Sequence, residues 1–259
     1  MSTAPDPPLR LTRRGRFVVV LAAVSVVVAA VLMLSGRSSS AGPAAQGAGS
    51  PVVPATPSPV ADPTPTPRTT ATPVPEEAVS QAASGSLAVV SGAQGSADGE
   101  GRVVRYRVLV ERDLLVDGQP VDRRGFARLV HRILTDDRGW QPIDGVRFAR
   151  VAGDAADVDV VLASPDTTDA LCAPLGTEGW LSCYNGSATV LNARRWFSGA
   201  ESYGDDLAGY RRYLVSHEMG HYLGYPHVDC PAPGARAPVM VQQTKSLYGC
   251  VKGPWPSIG

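Results

Sequence analysis

The chain has only four histidines in 259 residues, and three of them fall in the segment SHEMGHYLGYPH, 216–227. They are His217, His221 and His227, with Glu218 beside the first and Gly224 between the last two. Residues four apart on a helix stack on one face, so His217 and His221 would project their imidazoles the same way. Two neutral imidazoles at that separation can hold one zinc ion. Glu218 would sit at the edge of the same site. Its carboxylate could take a proton from a water at the metal and pass it to a leaving amine. Gly224 permits the left-handed turn that ends a helix, after which the chain doubles back and delivers His227 as a third ligand. Three protein ligands leave a fourth position open, which is the catalytic rather than the structural pattern of zinc sites. Three histidines also favour zinc among common divalent ions. The fourth histidine, His131, carries no motif and is expected to have a structural or surface role.

The elements that must position these residues are legible in the hydrophobic pattern. DDLAGYRRYLVSHEMGHYLG, 205–224, reads as a helix, with Asp205 or Asp206 as N-cap and Gly224 as its stop. VDRRGFARLVHRILTD, 121–136, places Phe126, Leu129, Val130, Ile133 and Leu134 at helical spacing. RVVRYRVLVE, 102–111, is β-branched and alternating, and 145–151, 157–164 and 187–193 also read as strands. Strands accompanied by two helices give an α/β or α+β class, with no internal repeat.

Four regions follow from composition. Residues 1–16 form a short segment with Arg10, Arg13, Arg14 and Arg16. Residues 17–34, FVVVLAAVSVVVAAVLML, carry no charge and just reach the length of a bilayer-spanning helix. The preceding arginines would hold the N-terminus in the cytoplasm and send the rest outside, as a signal anchor. Secretion after signal cleavage is the alternative. Residues 35–85, rich in Pro, Ala, Ser and Thr, are expected to be a solvated linker that cannot bury a core. Residues 86–259 are then the globular domain. The chain carries no net formal charge, which gives no support for a nucleic-acid surface. Its 24 basic residues include only two lysines, Lys245 and Lys252. The four cysteines, Cys172, Cys183, Cys230 and Cys250, form an even set consistent with disulfides in an oxidising compartment. Of three possible pairings the sequence-local one, Cys172–Cys183 and Cys230–Cys250, is favoured. The second bridge would brace the segment beneath the histidines. Trp180, inside the first loop, is expected to pack.

The arrangement H-E-x-x-H-x-x-G-x-x-H resembles the metzincin signature. Metzincins also have a methionine turn beneath the metal. APVMVQQT, 237–244, looks like it, with Met240 as the methionine and Pro238 suited to a tight turn. More widely, residues 86–259 resemble an actinobacterial family of membrane-anchored, metzincin-like domains. The resemblance lies in RGW at 138–140, RRW at 194–196, YRRYLVSHEMGHYLG at 210–224, CPAPGARAPVM at 230–240, QQT at 242–244, Cys250 and PWP at 254–256. That family is recognised by domain and not by assigned activity. The resemblance implies a zincin-like twisted mixed sheet with an active-site helix and a Met-turn. Some metzincins have a tyrosine two residues after the methionine as a further ligand. Here Gln242 stands there, so none is expected. No cysteine precedes Cys172, so a cysteine-switch latency is not expected. Asp229 could orient a ligand imidazole or be a solvated loop carboxylate.

Together these features give an extracytoplasmic zinc metallopeptidase. His217, His221 and His227 hold Zn2+, Glu218 is general base, and a protein or peptide of the cell envelope is the substrate. A substrate strand could add to an exposed edge at SATVLN, 187–192. The alternative is a non-catalytic zinc domain that binds an envelope partner, for which Glu218 would have no use.

Overall fold

A computed structural model describes residues 72–96 and 99–256. In chain order the elements are β1 (Leu87–Val89), β2 (Arg102–Glu111), β3 (Leu115–Val116), β4 (Gln119–Pro120), α1 (Arg123–Leu134), α2 (Trp140–Asp144), β5 (Val146–Val151), β6 (Val158–Ala163), α3 (Pro165–Cys172), β7 (Cys183–Tyr184), β8 (Ala188–Asn192), α4 (Ala193–Ser198) and α5 (Leu207–Leu223). The fold is mixed α/β. Its sheet runs β1-β2-β6-β8-β7, with β5 also paired to β2. β5, β2, β6 and β8 are parallel, while β1 and β7 lie antiparallel at the margins.

Strand side chains alternate between faces, and here both faces are apolar. Val104, Tyr106, Val108 and Val110 of β2 join Val158, Val160 and Leu162 of β6 in the larger core, with α1 and α5. Leu109, Val161 and Val190 face the other way and pack with Cys172 and Cys183. The sheet is therefore covered on both sides, which accounts for its β-branched, nearly continuous apolar strands.

The strands expected over 102–111, 145–151, 157–164 and 187–193 and both expected helices are present. Asp122 caps α1 by accepting from the Gly125 N–H at 2.8 Å, and Asp206 caps α5 by accepting from that of Gly209 at 2.8 Å. His131 is structural, its Nδ1 lying 2.8 Å from the hydroxyl of buried Tyr106. Three further helices, α2, α3 and α4, are additions to the sequence reading. The 187–192 segment is not an exposed edge. Every residue of β8 is buried, and its outer side pairs with β7 through Cys183↔Val190 and Tyr184↔Thr189.

The domain also begins earlier than residue 86. The Val74 N–H donates to Phe197 O at 3.1 Å, Val79 is buried, and Glu76 pairs with the buried guanidinium of Arg195. The expected spanning helix, 17–34, lies outside the described residues, as do its flank 1–16 and the linker as far as 71. Among the described residues no helix is long and apolar enough to cross a membrane. The described residues thus give no support for a membrane anchor, and nothing below rests on one. Both favoured disulfides are formed, Cys172–Cys183 and Cys230–Cys250, and no free cysteine remains among the described residues. Two formed bridges fit an oxidising, extracytoplasmic location.

Candidate metal centre and cleft

α5 is buried along most of its length, including His217 and Glu218. Its end is a Schellman turn. Gly224, at φ 99°, donates to His221 O at 3.0 Å, and the Tyr225 N–H donates to Gly220 O at 2.9 Å. This turn does two things. It reverses the chain towards His227, and it places Tyr225 O 2.9 Å from His221 Nδ1. His217 Nδ1 is held in the same way, 2.8 Å from Val239 O.

Both Nδ1 atoms face carbonyl oxygens, which can only accept, so each carries the ring proton. The Nε2 atoms of His217 and His221 are then bare lone pairs. They lie 3.2 Å and 3.1 Å from His227 Nε2. All three potential ligand atoms fall within 4.8 Å of one another. One proton on His227 could satisfy only one neighbour, whereas a single cation satisfies all three. Burial lowers the pKa of each imidazole, that of His217 to about 3, which keeps the ring neutral as a ligand must be. The donor set therefore fits a divalent metal.

Glu218 is buried beside this cluster, and burial pushes its carboxyl up to about 8. It makes no hydrogen bond among the described residues. It lines, with the three histidines, a cleft of about 460 Å³. One stretch of the wall comes from the loop stapled by Cys172–Cys183, including Leu175 and Leu181, and from Tyr184 directly after it. Another comes from Gln242, Thr244 and Lys245. Trp180 is 38% exposed and covers the guanidinium of Arg195 at 4.5 Å, so it neither lines the cleft nor packs inside.

Beneath α5, Pro238–Val241 forms a turn closed by the Val241 N–H to Pro238 O at 3.0 Å. Met240 in this turn is buried against the helix, and its backbone carbonyl accepts from the Val228 N–H at 3.2 Å. The turn thus holds His217 through Val239 and the His227 loop through Met240. Asp229 is exposed and hydrogen-bonds none of the three imidazoles.

Several supporting residues carried no sequence signal of their role. Trp140 donates through Nε1 to Ser216 O at 2.7 Å and stacks on Tyr225 at 4.4 Å, bracing the helix and its terminal turn together. Gln243 is fully buried. Its amide accepts from the Tyr203 hydroxyl at 2.9 Å and the Gly253 N–H at 3.0 Å, and donates to Gly253 O at 2.8 Å. It locks the segment after the turn to the C-terminal strand of chain.

Gly220 fits where no side chain would. A Cβ there would lie 2.5 Å from Met240 Sδ and 2.7 Å from Trp140 Cζ2. Alanine favours helix over glycine by about 1 kcal/mol. Overpacking against two fixed side chains opposes this by about 1–3 kcal/mol. Gly220→Ala is expected to be destabilising on balance, seen as a lower urea midpoint with unchanged slope. A midpoint equal to or above wild type would refute the tight contact.

A family model described as "Protein of unknown function (DUF3152)" matches residues 74–250. The chain belongs to the DUF3152 family. The match begins at Val74, where the N-terminal segment docks on Phe197, and ends at Cys250 of the second bridge. The three histidines, Glu218, Met240 and both disulfides all lie inside it. No curated protein and no solved structure matches the chain.

Proposed function

We propose that this DUF3152 protein is a zinc-dependent peptidase of metzincin type. Its substrates would be proteins or peptides in an oxidising, extracytoplasmic compartment. The observation that carries the reading is the convergence of three Nε2 atoms, at 3.1 and 3.2 Å, on a cleft that also contains the unpartnered carboxylate of Glu218. Two nitrogens each about 2.0–2.1 Å from one tetrahedral zinc lie about 3.3 Å apart, so the donor spacing suits that ion. The turn at Pro238–Val241, with Met240 under the helix, supports the Met-turn and with it the metzincin-like resemblance.

His217, His221 and His227 would hold the ion. A zinc ion in such a site supplies Lewis acidity, polarising a carbonyl and making a water a usable nucleophile near neutral pH. The remaining work belongs to the chain. The carbonyls of Val239 and Tyr225 fix the two imidazoles in the tautomer that leaves Nε2 free. Burial raises the Glu218 carboxyl, and the positive charge of an ion beside it would bring it back to the ionised form. It would then accept the proton of the attacking water on a carboxylate oxygen and return it to the leaving amine nitrogen. The two walls of the cleft would flank a bound peptide.

The test is the metal content of the purified full chain, by elemental mass spectrometry, beside His221→Ala. About one zinc per chain, lost in the variant, is expected. A folded, oxidised protein without zinc would end the metallopeptidase reading. Zinc at full occupancy with no hydrolysis across a broad peptide library would favour the non-catalytic binding domain.

A further inference from the structure

We propose that Lys245 recognises a carboxylate in the cleft, so that the substrates are peptides bearing an acidic side chain or a free C-terminus close to the scissile bond. This rests on the peptidase reading and names its substrate class.

The chain supplies positive charge almost entirely as arginine, and its only two lysines lie in the segment after Met240. Lys252 has a structural task, donating to Tyr203 O at 2.9 Å and lying 3.8 Å from a carboxylate oxygen of Asp206. Lys245 has none. Its side chain makes no ion pair or hydrogen bond among the described residues, yet it lines the cleft shared by the three histidines and Glu218. Its backbone is nevertheless fixed. The Lys245 N–H donates to Gln242 O at 2.9 Å, and the preceding Thr244 is tied to the hydroxyls of Tyr210 at 3.0 Å and Tyr213 at 3.4 Å. Lys245 is exposed, so its ammonium swings in water from a fixed point on the rim of the cleft, within reach of a bound peptide.

The rest of the lining sharpens the choice of ligand. Apart from the histidines, Lys245 is the only basic residue of the cleft, and Glu218 is the only acid. Leu175, Leu181 and Tyr184 offer apolar contact, which suits a peptide rather than a highly charged anion. Gln242, whose side-chain amide has no partner among the described residues, adds a neutral donor from the same turn. One point charge with rotatable donors and one amide are enough for a single carboxylate. They are too little for a phosphorylated ligand, which is usually held by a cluster of arginines.

The experiment measures binding without cleavage, using the zinc-loaded full chain carrying Glu218→Gln. Three peptides of one sequence are titrated calorimetrically. One has an internal glutamate and capped ends, and one has glutamine there and capped ends. The third has glutamine and a free C-terminal carboxylate. At least one carboxylate peptide is expected to bind about fivefold or more tighter than the neutral one, and which of the two does so identifies the source. Adding Lys245→Met should erase the preference, and Lys245→Arg should keep it. Equal binding of all three peptides, no binding of any, or a preference that survives Lys245→Met overturns the assignment while the metal site stands. Failure of the unsubstituted chain to retain zinc overturns both readings and is scored separately by its metal content.

Discussion

Glu218→Gln is expected to cut peptide hydrolysis about 10²–10⁴-fold while leaving zinc bound. The substitution keeps the size and planarity of the side chain and removes only its ability to accept and return a proton. Glu218 is buried and lines the cleft, and its carboxyl makes no hydrogen bond among the described residues, so the substitution strands no side-chain partner. It belongs to none of the three converging Nε2 atoms, so the ligand set is untouched. A loss of that size corresponds to about 3–5 kcal/mol of transition-state stabilisation. The measurement is kcat/KM on a cleavable peptide together with zinc per chain. Near-wild-type turnover would remove Glu218 from the mechanism. Loss of zinc would make it a support of the ligands instead of a base.

The same residues show why the centre was readable in the sequence. α5 carries its own start at Asp206, its own stop at Gly224 and two of the three converging histidines, so helix and candidate site are encoded together. β2 was readable because β-branched alternation survives burial of both faces. What orients these imidazoles is not legible in the sequence. The partners of His217 and His221 are the backbone carbonyls of Val239 and Tyr225, and a carbonyl has no residue identity. Asp229 attracted attention only because side chains are what a sequence displays. Trp140 reaches Ser216 across 76 residues, a distance over which no local pattern speaks. α2 and α4, five and six residues long, are too short for a 3.6-residue period to appear. α3 buries Thr167 and Thr168 rather than an apolar stripe. The Thr167 hydroxyl donates at 2.7 Å to the buried carboxylate of Glu111, an arrangement opposite to what hydropathy favours.

The N-terminal boundary of the domain is hidden in the sequence for a related reason. Residues 74–85 share the composition of the linker before them. They are held by the ion pairs of Glu76 with Arg194 and Arg195, by hydrogen bonds such as Val74 N–H to Phe197 O and Ser80 Oγ to Leu115 O, and by the burial of Val79. Glu76 faces Arg195, whose side chain is 1% exposed and whose other neighbour is the ring of Trp180 at 4.5 Å. Removing one partner of a buried pair leaves a charge without compensation, at about 3–5 kcal/mol. Glu76 itself is 45% exposed, so water offsets part of this, and Glu76→Ala in the full chain is expected to cost about 2–3 kcal/mol. Replacing both partners avoids the stranded charge. Glu76→Ala with Arg195→Met should therefore be more stable than Glu76→Ala alone, the non-additivity expected of groups in contact. Urea unfolding of the three proteins decides it. If Glu76→Ala unfolds at the wild-type midpoint, the segment is an appendage after all. If the double variant is no better than the single, the cost lies in lost packing of the N-terminal segment and not in the charge of Arg195.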